Sequence, residues 1–462
     1  MRVDIQADTI VALCTPPGRS AIGVIRLSGS ASLKILRALI ARPSFNPQPN
    51  LLTLRSLCDP SSGEVLDRAL VSFFEAPHSF TGEDVVELHC HGSPVLLQSI
   101  VEIILKLDAR LADPGEFSLR AVSNGRLQLT EAEAIRDLVD AQTDAGVKQA
   151  TRQLKGEISN TLQPAKEQLL KIIVRLESSI EFVEEDLPNV EHGDLTGELQ
   201  AIKKDLLRLS QTFAAGKLLR DGLKAAFIGR PNVGKSSLFN RLLGRGRAIV
   251  TEIPGTTRDT LTEPIGIHGV PVLLIDTAGI RDSIDQIEAI GVERTKREAA
   301  DADILIVVVD GSAHLQDEDR SVLSEAENQL HLIALNKSDL ESFSAARTEH
   351  DISASANCAG ILSVSAKTET GLETLRAAIL KPFLNGRSQS DGLLITNARH
   401  HDLLTRTIAA LQTSESLMRQ CVSEELVLVG LHNALRLLDE LTGETTSDDI
   451  LGQIFSTFCI GK

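Results

Sequence analysis

At 462 residues the chain exceeds what one hydrophobic core usually organises, and about 100–200 residues per domain gives it two to four units. A composition 42% hydrophobic and 24% charged excludes a chain dominated by disorder. A formal net charge of −16 excludes nonspecific wrapping of nucleic acid, which relies on clustered Lys and Arg, so any RNA must be held by a partner or a local patch.

From Asp4 to about Asn124, β-rich runs such as Gly23–Leu27 and Ala69–Phe74 alternate with Pro and Gly punctuation and one helix, Val95–Leu107. This predicts a compact α+β domain over 1–121. Over 122–221 the pattern is helical, with Leu162, Ala165, Leu169, Ile172, Leu176 and Ile180 forming one apolar stripe read as packing surface. Residues 222–383 alternate strand-like and helix-like runs, as a parallel α/β domain does. Helical spacing returns over 384–462, in Leu404, Ile408 and Leu411 and then in Val427, Leu431, Leu435 and Leu438, with Gly443 placed to cap. The predicted architecture is a multidomain α+β and α/β chain: an α/β domain inserted into a discontinuous helical bundle.

The six cysteines form no CxxC pair, and no signal peptide is recognisable. The longest apolar run, Ile304–Val309, is far shorter than the roughly 20 residues that cross a bilayer. Together these predict a reducing, cytoplasmic compartment. Trp and Tyr are absent, which leaves Phe as the only large aromatic for stacking on bases. In His89-Cys90-His91 the two histidines share a strand face and Cys90 points away, so ordinary packing or polar contacts are preferred to a zinc site.

Apolar Ala225–Ile228 runs into Gly229-Arg230-Pro231-Asn232-Val233-Gly234-Lys235-Ser236-Ser237 and then a helical continuation. That is the strand, loop and helix context of a Walker A motif, whose glycines turn backbone N–H groups toward phosphates. Lys235 is expected on the β- and γ-phosphates, and the Ser236 hydroxyl on Mg²⁺. Downstream, Leu273–Ile275 leads into Asp276-Thr277-Ala278-Gly279, which puts an indirect Mg²⁺ carboxylate at Asp276 and a γ-phosphate-sensing amide at Gly279.

Asn336-Lys337-Ser338-Asp339 and Ser365-Ala366-Lys367 resemble the base-recognition motifs of the GTPase superfamily. By that resemblance Asp339 accepts from guanine N1 and N2, and GTP is preferred to ATP. Ile280 stands where Ras-like GTPases carry the Gln that orients water, so the catalytic charges are assembled differently. Asn232 and the stretch Ala248–Asp259 resemble the potassium-activated branch, in which K⁺ replaces an arginine finger. That likeness implies K⁺ ligation by Asn232 and the carbonyls of Thr251, Ile253 and Thr256, within a nucleotide-lining loop Thr251-Glu252-Ile253-Pro254-Gly255-Thr256-Thr257. It further implies Thr257 as a Mg²⁺ ligand and Glu288 as general base through a bridging water.

Outside this region, Thr15–Arg19, Ser79–Asp84, Pro114–Ser118 and the terminal Phe458-Cys459-Ile460-Gly461-Lys462 resemble the MnmE (TrmE) family of tRNA-modification GTPases over essentially the whole chain. The resemblance implies an N-terminal folate-binding dimerisation domain, a split helical domain and an inserted G domain. It implies a homodimer that, with the FAD-carrying flavoprotein MnmG (GidA), adds a carboxymethylaminomethyl or aminomethyl group to C5 of the tRNA wobble uridine, the tRNA being held mainly through the complex. Arg26, Glu87, Arg126 and Lys462 would surround formyl- or methylene-tetrahydrofolate, and Cys459 matches a cysteine important for modification. The competing reading is a regulatory switch GTPase of the ribosome-assembly type, which needs neither the folate-like motifs nor the CIGK terminus.

Overall fold

The computed structural model describes residues 8–181, 192–244, 262–276, 301–352, 355–384, 392–420, 422–445, 448–459 and 461. Within them the chain divides into two compact units: 1–136, 153–170 and 432–462, and 137–152 with 171–431.

The first unit is built on a six-stranded sheet ordered β3-β4-β5-β2-β1-β6. Its strands are β1 (Thr9–Leu13), β2 (Ile22–Ser28), β3 (Thr53–Cys58), β4 (Val65–Phe74), β5 (Val85–His91) and β6 (Ala109–Leu111). All neighbours are antiparallel except β1 and β6. Helices α1 (Ser32–Leu39) and α2 (Pro94–Leu105) close one face, packing Ile35, Leu36, Leu97 and Ile100 on Ile25, Val71, Val86 and Leu88. On the other face α3 (Glu116–Ser123) sets Phe117 against Ile10 and Ala12.

Three helices therefore stand where the sequence suggests one. The eight-residue α1 follows Ala31, which makes no side-chain cap bond, and α3 follows Gly115 at φ +68, a residue that reads as a loop breaker. The expected Val95–Leu107 helix is present, beginning on the preferred first-turn proline, Pro94.

The helical stretches are α4 (Leu129–Asp140), α5 (Asp144–Leu154), α6 (Glu157–Glu181), α7 (His192–Ser210) and α8 (Phe213–Asp221). In α6 the stripe Leu162, Ala165, Leu169, Ile172 and Leu176 is buried.

The second sheet is ordered β12-β11-β10-β7-β9-β8, parallel except for the β8–β9 hairpin. Its strands are β7 (Leu223–Ile228), β8 (Thr262–Ile267), β9 (Val270–Asp276), β10 (Ile304–Asp310), β11 (His331–Asn336) and β12 (Cys358–Ser363). Helices α9 (Lys235–Gly244), α10 (Asp317–Ala326), α11 (Ala345–Asp351) and α12 (Leu372–Leu380) follow β7, β10, β11 and β12. Strand β10 explains its unbroken apolar run: Ile304, Ile306 and Val308 enter the core under α9 and α12, while Leu305, Val307 and Val309 enter the opposite one. The chain ends in α13 (Ala398–Arg419), α14 (Glu424–Thr442) and α15 (Asp448–Phe455). Gly443, at φ +94, follows α14 as the sequence predicts. Among the described residues no helix is long and apolar enough to cross a membrane.

Candidate functional site

Strand β7 delivers the phosphate loop at the carboxyl end of the parallel sheet, and α9 begins at Lys235. Two glycines there are sterically required. A Cβ on Gly229 (φ +151) would lie 2.5 Å from the Val308 carbonyl, and one on Gly234 (φ +95) would lie 2.3 Å from the Asn336 amide. Asn232, at φ +65, takes the left-handed conformation that Asn tolerates best after Gly, and it is exposed in the loop. The buried Lys235 ammonium donates to the carbonyls of Gly229 and Arg230, both at 2.8 Å, and so sits against its own loop.

Ser236 and Ser237 are exposed in the first turn of α9, where the helix dipole favours anions. Asp276, 2% exposed, ends β9 directly beside Phe227 of β7, which carries its carboxylate to the same sheet end. A hydroxyl and a carboxylate are hard oxygen donors of the kind Mg²⁺ takes, so the described half of the metal site fits that ion.

The base loop is joined to the phosphate loop through Asn336. Its Nδ2 donates to the Val233 carbonyl at 2.8 Å, and its Oδ1 accepts from the Ala366 amide at 3.1 Å. Lys337, at φ +66, donates from Nζ to Asp310 Oδ2 at 2.6 Å, and the Ser338 amide donates to the Val364 carbonyl at 3.1 Å. The Ser365 hydroxyl donates to Asp339 Oδ1 at 2.6 Å and accepts from the amides of Lys367 and Thr368. That bond, above all, holds the exposed Asp339 carboxyl below its ordinary range. Asp339 is thus a fixed, ionised double acceptor at the loop surface.

Two carboxylates here escaped the sequence reading. Burial pushes the Asp310 carboxyl up, but Lys337 and Ser312 outweigh it and hold it below the usual range. Asp319 takes Arg230 Nε on both oxygens, at 2.9 and 3.0 Å. Asp319 closes a capping box with Gln316 at the start of α10, and its partner Arg230, 89 residues away, leaves no local signal in the sequence.

In the first unit, Ser72, Glu87 and Arg26 form one rung across β4, β5 and β2. Arg26 sets Nε and Nη2 on Glu87 Oε1, both at 2.9 Å, and its guanidinium lies 5.5 Å from the Phe80 ring and 5.6 Å from Phe117. Arg26 Nη1 reaches the Gly461 carbonyl at 3.5 Å. Arg126 donates from Nε to the Ser79 carbonyl at 3.1 Å, beside Phe80. Arg26, Glu87 and Arg126 are thereby gathered around the 79–80 turn. The buried hydroxyls of Ser72, Ser79 and Ser118 have no hydrogen-bond partner among the described residues, and such orphans suit a polar ligand such as a folate.

His89 Nε2 stands 3.5 Å from Glu87 Oε2. Cys90 faces the opposite core, and burial, then the Asp67 charge, pushes its thiol up to about 12. Cys459 is exposed, and its carbonyl accepts from the Gly115 amide at 3.4 Å. Thr251–Thr257, Thr277, Ala278, Gly279, Glu288 and Lys462 lie outside the described residues.

A parallel sheet carrying a GKS loop, a carboxylate at the neighbouring strand end and an NKSD–SAK base loop defines a P-loop GTPase. Comparison with known proteins narrows the class. The profile of the MnmE helical domain matches residues 129–459, and that of the GTP-binding protein TrmE N-terminus matches residues 9–126. The tRNA modification GTPase MnmE of Koribacter versatilis is 44% identical over 458 residues, covering 98% of this chain and 99% of the relative. The Aquifex aeolicus protein of the same name is 41% identical, covering 98% of this chain and all of the relative, and that of Moorella thermoacetica is 42% identical, covering 98% and 99%. The chain belongs to the MnmE family of tRNA modification GTPases.

Proposed function

We propose that this protein is a K⁺-activated GTP hydrolase that works with a flavoprotein partner to add a carboxymethylaminomethyl or aminomethyl group to C5 of the wobble uridine of certain tRNAs. The observation that carries the nucleotide half is the Ser365-fixed Asp339 carboxylate tied through Asn336 to the phosphate loop. A doubly donating base edge, that of guanine, matches this acceptor, and adenine does not.

In this reading the loop amides between Gly229 and Lys235 and the Lys235 ammonium hold and neutralise phosphate, the ammonium exchanging its two carbonyl partners for phosphate oxygens. Ser236 and Thr257 would hold Mg²⁺, with Asp276 acting indirectly, and the ion would supply charge neutralisation when bound. Asn232 and the backbone carbonyls of Thr251, Ile253 and Thr256 would hold K⁺ in place of an arginine finger, and Glu288 would act as general base through a bridging water.

The one-carbon half rests on the Arg26–Glu87 rung and the orphan hydroxyls of Ser72, Ser79 and Ser118, which support a tetrahydrofolate bound by Arg26, Glu87, Arg126 and Lys462. The chain is organised as 1–121, 122–221, 222–383 and 384–462, and acts as a homodimer in the cytoplasm with the flavoprotein and tRNA. Mass analysis of wobble nucleosides in tRNA from cells lacking this protein tests the reading. Loss of the C5 modification, restored by the full chain, is the expected result; unchanged nucleosides would overturn it.

A further inference from the structure

The stretch from Asp137 to Arg152 touches both flanks of the nucleotide-binding region and, at a third place, a turn inside it. Asp137 takes Arg220 Nη2 on one carboxylate oxygen at 2.9 Å and Thr396 Oγ1 on the other at 3.3 Å. Arg220 lies in the last turn before β7, and Thr396 lies after the α/β region, so this carboxylate clamps the two ends of the insertion. The buried Gln149 reinforces the clamp by donating to the Leu394 carbonyl at 3.0 Å.

The third place lies away from those ends. Thr143 Oγ1 donates to the carbonyl of Gly269 at 2.7 Å, and Gly269 (φ +83) turns the β8–β9 hairpin. From that turn β9 runs to Asp276, about 20 Å away at roughly 3.3 Å per residue. Along the way β9 is paired with β7, from Leu223↔Val272 to Phe227↔Asp276, and with β8 from Ile267↔Val270 to Thr262↔Ile275. A strand held on both sides moves as a stiff element. The same Thr143 oxygen accepts from the Gly146 amide at 3.2 Å and so caps α5. One hydroxyl therefore holds the far end of the Asp276 strand and the start of a helix.

We propose that Thr143 is a positioning residue that couples the nucleotide site to the helical region: β9 carries a displacement from Asp276 to Gly269, and the Thr143 bond passes it to α5. This rests on the reading of a GTPase that drives tRNA modification. Thr143 adjoins the hairpin turn at the end of β9 remote from Asp276, so its substitution leaves the contacts of the nucleotide site in place.

The full-length protein, its flavoprotein partner and tRNA are assayed for GTP hydrolysed and for modified wobble uridine formed. Thr143→Val removes the hydroxyl. Thr143→Asp keeps an N-cap acceptor for α5, but as a carboxylate it cannot donate to Gly269, and so separates coupling from capping. Both variants should keep GTP turnover within about twofold while modified tRNA per GTP falls about fivefold or more, and Thr143→Ser should restore it. Wild-type modification per GTP in Thr143→Asp, or GTP turnover that falls in step with modification, would overturn the coupling role. Wild-type protein that hydrolyses GTP but yields no modified uridine would instead sink the functional reading on which the coupling rests.

Discussion

The side-chain amide of Asn336 bridges Val233 in the phosphate loop and Ala366 in the base loop, at 2.8 and 3.1 Å, and is 2% exposed. The two loops are consequently joined through one buried hydrogen-bonded side chain. Asn336→Ala strands the Val233 carbonyl and the Ala366 amide, and a buried unpaired group costs about 1–3 kcal/mol. GTP and GDP affinity should both fall about tenfold, since about 1.4 kcal/mol is a factor of ten. Calorimetric titration with each nucleotide checks this, and a loss confined to GTP would count against a shared frame.

Asp339 offers a separable test because it is exposed and held by Ser365 rather than by the core. Asp339→Asn replaces an acceptor pair with one acceptor and one donor. GTP binding should weaken and xanthosine triphosphate binding should improve, since xanthine presents an acceptor where guanine has its amino group. Tight GTP binding by the variant, measured by competition, would tell against the assigned role.

Much of the nucleotide site was legible because its chemistry is local. Gly229–Ser236, Asp276 and Asn336–Asp339 each sit at a strand end that a short apolar run announces. What was not legible depends on distant pairing. Arg230 reads as a variable loop residue until α10 brings Asp319 to it, and Ser72 reads as an ordinary strand serine until β4 and β5 align it with Glu87. Thr143 carries no motif, since its meaning comes only from meeting a hairpin turn 126 residues away. Helix α1 did have an apolar signal in Ile35, Leu36 and Leu39, but two turns without a cap bond give periodicity little room to declare itself.

The potassium assignment predicts a salt dependence. Asn232 is exposed at φ +65, so its side chain is free of the core and open to a bound ion. GTP turnover should be much faster in K⁺ than in Na⁺, and Asn232→Ala should abolish the difference at a backbone cost of about 1–2 kcal/mol in the left-handed region. Equal turnover of the unaltered protein in the two salts would remove K⁺ from the mechanism.

Acid stability depends on the charge cluster behind the N-terminal sheet. Arg120 is 1% exposed, with Nη2 on Glu116 Oε1 at 2.9 Å and on Asp8 Oδ1 at 2.7 Å. Glu116 also takes Arg110 on both oxygens, at 2.6 and 2.8 Å, and the Asp113 amide at 2.9 Å. Burial pushes the Glu116 carboxyl up, but the bonds from Arg110, Asp113 and Arg120 outweigh it and hold it below the usual carboxylate value. In the unfolded chain the same group titrates at about 4.3. With the folded value the lower of the two, the unfolded state binds the proton more readily, so the stabilisation is complete above the unfolded value and is lost as pH falls through the folded one. Glu116→Gln removes one of the three carboxylates around the buried Arg120, which keeps Asp8 at 2.7 Å and Glu83 at 3.1 Å, so the loss at neutral pH is smaller than that of an unpaired buried charge. The variant should melt earlier at pH 7, and its melting temperature should fall less steeply than that of the unaltered protein between about pH 5 and pH 3. Melting curves of the full chain across that range decide the matter: an equally steep acid limb in the variant would mean that carboxylates other than Glu116 carry the proton uptake.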